Sequence, residues 1–251
     1  VDEGLSPTIP PTAYNAVTVP STGKVLHFRP YLVSEEKVLL LAIEAGDEGS
    51  MLDAIKGTLE ACCQETLVVD KLALFDFEYI FSQVRASSVG QTASIRLKCQ
   101  NAIEGERCKG LTEVDVDISS ITIDVDPAAT VIQLTPDHTL NMRWPSYSDG
   151  VSITKKQAAR QDGTATIAVQ DMFDLISRCL VSVQSEDSIY TFDEESKEDI
   201  EEWLNNLKST QLKMIIDFIQ DVPKLSHPIE YKCVECGEDQ TIVLEGLTDF
   251  F

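Results

Sequence analysis

One short string limits what this chain can fold into more than any other: Cys233-Val234-Glu235-Cys236-Gly237. Two thiols three positions apart, followed by a glycine that accepts a tight backbone, aim both sulfurs at one point and form half of a tetrahedral thiolate site. Short strand-like stretches at 229–232 and 241–244 flank the string, so it reads as the turn of a hairpin. A second pair, Cys99 and Cys108, is flanked in the same way by alternating stretches at 95–97 and 114–118. Together the two pairs predict the facing hairpins of a zinc ribbon, with Cys99, Cys108, Cys233 and Cys236 closing all four positions of a structural zinc ion. The eight residues between Cys99 and Cys108 make a wider loop than the usual two to four or so. Two other readings share these residues: a redox pair at Cys233 and Cys236 beside two unpaired loop thiols, and a site in which His227 replaces one cysteine. A strand follows Cys236, where a thioredoxin-like pair would open a helix, and this counts against redox chemistry. The pairs lie more than a hundred residues apart, so zinc here would close a long loop and specify the fold.

Charge narrows the partners. Lys+Arg total 20 against Asp+Glu 42, a formal net charge of −22, and no local basic cluster interrupts the acidity. A phosphate-binding face needs cations, so nucleic acid is excluded as a partner. The longest strongly apolar run, 38–43, is far short of the roughly 20 residues that cross a bilayer, so no membrane partner is expected and the chain reads as soluble. The first residues lack a basic start and an apolar run, so no secretory signal is read. With 43% hydrophobic residues the chain can still bury a core, and 251 residues allow one large domain or two small ones.

The pattern along the chain predicts an α+β fold: helical N-terminal and inserted helical segments packed on an antiparallel β region that carries a discontinuous zinc-ribbon-like module. Residues 1–30, with five prolines and no sustained period, read as an extended arm. Residues 31–90 form a helical region. It opens with a helix capped by Ser34 and ended by Gly46, apolar around most of its circumference and therefore expected to be deeply packed. A second helix opens on the Ser50 capping box and puts Cys62 in the core; a third is capped by Asp76. Residues 91–145 switch to a period of two, with strands at 93–97, 114–118, 121–126, 131–134 and 139–144 and a bulge or bend at Ser119-Ser120. Residues 146–225 read as a helical insertion, a loop or weak helix to 164 and then helices over 165–185, 194–207 and 210–220. Residues 226–251 form the second cysteine hairpin and a tail, and the whole is expected to be one compact unit.

Other residues invite chemistry and do not sustain it. Cys62 and Cys179 share helix faces with Leu and Ile and read as core packing, while Cys63 has no clear role. His27, His138 and His227 lie in unrelated contexts, and no Ser or Cys sits in a nucleophile elbow, so no catalytic residues are assigned. Asp115, Asp117, Asp124 and Asp126 alternate with Val and Ile as a half-solvated strand does, without a calcium-loop pattern. The acidic run 193–202 reads as a solvated helix start that also suits a basic partner.

Several strings together resemble one family, the baseplate hub assembly proteins of T-even-like contractile-tailed bacteriophages. They are Phe28-Arg29-Pro30-Tyr31-Leu32-Val33 leading into Glu36-Lys37-Val38-Leu39-Leu40; Asp70-Lys71-Leu72 with Phe75-Asp76-Phe77-Glu78-Tyr79-Ile80-Phe81; Val84-Arg85-Ala86-Ser87-Ser88-Val89-Gly90; and Cys233-Val234-Glu235-Cys236-Gly237 with Leu244-Glu245-Gly246-Leu247-Thr248-Asp249-Phe250-Phe251. The resemblance runs from about Phe28 to Phe251, strongest over 28–90 and weakest over 145–210. It implies a non-enzymatic morphogenesis protein that binds other baseplate hub and tail proteins, works in the host cytoplasm during assembly, and has the virion tail baseplate as an open destination. On this reading the acidic chain shields a basic surface of a hub subunit, with the Pro-rich arm and the Asp-Phe-Phe end as anchors. A rival from another class is an acidic zinc-ribbon regulator of a transcription or replication complex; a hydrolase in the helical insertion is a weaker one. Oligomeric state is left open.

Overall fold

A computed structural model describes residues 13–46, 48–103, 105–159 and 168–247. The chain builds two hydrophobic cores joined at a seam, and seven helices and several small antiparallel sheets make the α+β class plain among these residues.

The first core starts where the arm was expected. Strands β1 (Asn15–Thr18) and β2 (Val25–Phe28) pair antiparallel around a turn in which Gly23 takes φ +68°, a conformation costly for other residues. Val17, Val19 and Phe28 are buried, so residues 15–28 are a packed hairpin and not an extended arm. Pro20 lies in the turn itself, and the strands on either side are only four residues each, which hides their period of two. Residues 1–12 of the expected arm, and 249–251 of the expected anchor, lie outside the described residues.

Helix α1 (Val33–Ala45) ends at Gly46 as expected, with φ +65°. Its start differs: Leu32 is the N-cap, and the Glu35 carboxylate accepts the Leu32 N–H at 2.6 Å. α1 is not deeply packed either. It buries only Leu39 and Ala42 and rests mainly on α2 (Glu48–Cys62). Because α2 begins at Glu48, Ser50 falls inside it and does not cap it. Helix α3 (Leu74–Ser88) is the centre of the core, with Phe77, Ile80, Phe81 and Val84 essentially without exposed surface. Asp76 does not cap it. Its buried carboxylate accepts the Ser21 N–H at 2.9 Å and the Ser21 hydroxyl, tying the β1–β2 turn to α3.

Strands β3 (Thr92–Lys98), β4 (Ala102–Ile103), β5 (Glu106–Arg107) and β6 (Leu111–Asp117) form one long hairpin, with β3 paired to β6 and β4 to β5 at its tip. The predicted phase slip is a 3₁₀ turn at Ile118–Ser120, and it lets Ile118 and Ile121 both enter the core. No strand forms over 121–126. That stretch finds no partner, and Asp126 turns the chain by accepting the Ala128 N–H.

The second core has a four-stranded antiparallel sheet in the order β10-β9-β8-β7, with β7 (Val131–Thr135), β8 (His138–Met142), β9 (Leu180–Gln184) and β10 (Ile189–Thr191). β7 and β8, read from sequence with the first cysteine pair, thus share a sheet with strands from the insertion, β8 pairing directly with β9. Helix α4 (Tyr147–Ala159) fills the stretch expected as loop or weak helix. The helix expected over 165–185 is α5 (Val169–Cys179) followed directly by β9; Leu180 fits both periods, which is why the switch is hidden. Helices α6 (Lys197–Asn205) and α7 (Ser209–Gln220) follow, α6 capped by the Ser196 hydroxyl accepting the Asp199 N–H. The chain then returns to the first core with β11 (Ser226–Lys232) and β12 (Asp239–Glu245).

Glu78 on α3 receives the ends of that last hairpin. The nearby backbone N–H groups of Leu225 and Leu247 favour its charged form, but burial dominates and pushes its pKa up to about 7 from the usual 4.5. The folded chain therefore holds this proton more tightly than the unfolded one. The stability this confers is fully present below pH 4.5 and is lost as pH rises through about 7. Roughly 2–3 kcal/mol is at stake. Urea titrations from pH 4.5 to 8 are expected to show the difference between Glu78→Gln and the parent chain growing over that range; parallel curves would remove Glu78 as its source.

Candidate metal centre

The β3–β6 and β11–β12 hairpins face each other with their cysteine ends together. The wide Cys99–Cys108 loop resolves into a narrow mouth. Ala102 pairs with Arg107 and Ile103 with Glu106, the Cys108 N–H donates to the Asn101 carbonyl at 2.8 Å, and the Cys99 N–H donates to the Gly110 carbonyl at 2.9 Å. Those bonds set the two cysteines opposite each other at the base of a small hairpin. On the other side the Gly237 N–H donates to the Cys233 carbonyl at 2.9 Å with Gly237 at φ +70°, which is the role expected of that glycine.

All four sulfurs lie within 4.8 Å of one another. Cys99 Sγ is 3.7 Å from Cys236 Sγ, and Cys108 Sγ is 3.9 Å from Cys233 Sγ. A zinc tetrathiolate with bonds of about 2.3 Å has sulfur–sulfur edges of about 3.8 Å, so the spacing and the donor set fit a tetrahedral ion. Backbone N–H groups point at the sulfurs: Asn101 to Cys99 and Gly110 to Cys108, each at 3.4 Å. Such donors favour thiolates and orient them. At Cys233 the N–H groups of Cys236 and Glu235 hold the thiol down to about 6. At Cys99 the Asn101 N–H pulls the same way, but burial and bonds shared with the other thiols push it up to about 12. Backbone donors thus favour thiolates while burial opposes them, and a bound cation would draw off the protons.

Four residues that sequence reasoning passed over hold the hairpins in place. The Tyr231 hydroxyl donates to the Lys98 carbonyl at 3.2 Å, and the Val234 N–H donates to the buried Thr112 hydroxyl at 3.2 Å. Asn101 supplies the N–H to Cys99 described above. Gly110 is the tightest point: a Cβ there would stand 2.5 Å from Cys233 Sγ and 3.0 Å from Glu235 Cβ. The glycine two residues after Cys108 was the available signal.

The other candidates do not converge. His227 pairs with Leu244 on the hairpin away from the sulfurs, His27 meets Glu65 at 2.7 Å, and His138 meets Thr135 in the β7–β8 turn. Cys62 and Cys179 are buried, and burial pushes their thiols up to about 11 and about 12, as expected of packing residues. Asp115 accepts from Ser94, while Asp117 and Asp126 cap turns. Among the described residues no other group of His, Cys, Asp and Glu gathers as a metal site would require.

Fold and site together define an acidic α+β protein built around a discontinuous four-cysteine ribbon. Residues 12–251 match the family model described as T4 bacteriophage base plate protein, and the chain belongs to that family. No curated protein and no solved structure matches it. Membership makes this a phage baseplate protein that interacts with other baseplate proteins, and no described helix is long and apolar enough to cross a membrane.

Proposed function

We propose that this chain is a non-enzymatic assembly protein of the baseplate hub, which works by binding other hub subunits in the host cytoplasm, with a structural zinc ion at Cys99, Cys108, Cys233 and Cys236. The observation that carries the reading is the family match over 12–251. The chemistry agrees with it: four protein thiols leave a tetrahedral ion no open position for water or substrate. Zinc, when bound, supplies a cross-link. The residues supply the rest, Gly110 and Gly237 by letting the turns close and Tyr231 and Thr112 by joining the hairpins. A net charge of −22 suits a basic protein surface and repels nucleic acid. The test is co-expression of the tagged chain with each baseplate subunit of the same virus. Stoichiometric recovery of a hub subunit is the expected result; recovery only of polymerase or replisome subunits from infected cells would overturn it.

A further inference from the structure

From Val38 to Ile43 helix α1 is apolar all round, yet among the described residues it is covered on one side only. A helix of that composition is normally enclosed by protein. Here Val33, Val38, Leu40, Leu41 and Ile43 all face solvent, with Leu40 58% and Leu41 54% exposed. Leu40 and Leu41 lie on the side away from Leu39 and Ala42, with Lys37 one turn before them and Glu44 one turn after. Clustered exposed apolar side chains of this kind mark an interaction surface.

The charges beside these side chains say what would cover them. Glu36 and Glu44 on α1 make no ion pair among the described residues. Lys37 is the single cation on α1. A second copy of the chain would bring the same acids, and another net −22, against this rim. A surface with an apolar centre and a Lys/Arg border would instead bury the leucines and neutralise the rim.

We infer that α1 is the docking helix of this chain, and that its occupant is a different baseplate subunit presenting an apolar patch bordered by basic residues. The inference rests on the hub-binding reading above and adds the surface to it.

The experiment places a photo-crosslinking amino acid at Leu40 and, separately, at Ile189, an exposed residue of edge strand β10 in the second core. Each form is co-expressed with the baseplate subunits and irradiated, and the crosslinked peptides are sequenced. The Leu40 form is expected to capture a hub subunit at a basic, apolar segment, and the Ile189 form is not. The double variant Leu40→Asp, Leu41→Asp is expected to bind that subunit about tenfold or more weakly. Its circular dichroism and zinc content should stay unchanged, since both side chains already face water. Binding by the parent chain should weaken with added salt. Crosslinks from Leu40 to a second copy or to residues 1–12 of the same chain would overturn the inference. Capture only from Ile189, with a hub subunit still bound, would remove the surface and leave the function standing. No hub subunit bound by either form would remove both.

Discussion

Replacing Cys236 by Ser is expected to reduce zinc from about one per chain to a small fraction of that and to melt the two facing hairpins at a temperature where the parent chain stays folded. The pairs close at a point that no disulfide or long sheet holds: each hairpin is a two-stranded ladder, and among the described residues they meet through few bonds besides the sulfurs, Tyr231 to Lys98 and Val234 to Thr112 among them. Isolated two-stranded ladders are marginal in water. Structural zinc contributes on the order of 10 kcal/mol in small domains, comparable with the roughly 5–15 kcal/mol of a whole fold. The hairpins also close the first core, since Leu97, Val116, Ile229, Tyr231 and Leu244 are buried in it, so loosening reaches α3. Gly110→Ala should reproduce part of the loss, about 1–3 kcal/mol, because its methyl group collides with Cys233 Sγ and with the stiff Glu235 Cβ. Metal analysis with thermal melts, with and without chelator, checks both. A parent chain holding far less than one zinc, with melts indifferent to Cys236→Ser and to chelator, would end the zinc proposal.

The ribbon was legible because its ligands carry their own syntax: two thiols with a glycine behind them, and strands on either side of each pair. The narrow mouth at Cys99 and Cys108 was not, since β4 and β5 are two residues each and no period can be read from two residues. The β1–β2 hairpin was hidden for a different reason. Proline content marks loops in general, but Pro20 here only opens the turn between two short alternating runs. At Leu180 a helix passes into a strand through a residue that is buried in either conformation. α1 is the instructive failure. Its composition did signal burial, and what composition cannot say is whether the covering surface belongs to the same chain.

Replacing Trp144 by Ala is expected to uncouple the two cores. The indole stacks on Phe218 of α7 at 4.8 Å between ring centroids and meets Phe75 of α3 edge-on at 5.7 Å, so one side chain touches both sides of the seam. Removing a large aromatic from such a place costs about 3 kcal/mol or more. The seam keeps other ties: the Leu74 N–H to the Pro145 carbonyl at 3.0 Å, the Tyr147 N–H to the Leu72 carbonyl at 2.8 Å, and Asp149 held by Arg143 and Ser146. These fix the first turn of α4 to the first core, with the Tyr147 ring against Phe77. None of them replaces the lost contact with α7, so the loss falls on the second core. The chain has two tryptophans, and in the variant Trp203, packed against the second core on α6, is the one left. Its fluorescence should then report second-core unfolding at a lower urea concentration than in Trp144→Phe, which keeps an aromatic ring at the seam. Zinc release, the signal of the ribbon, should keep the same midpoint in both. Midpoints that move together would show that the two cores unfold as one cooperative unit and that the ring is not what couples them.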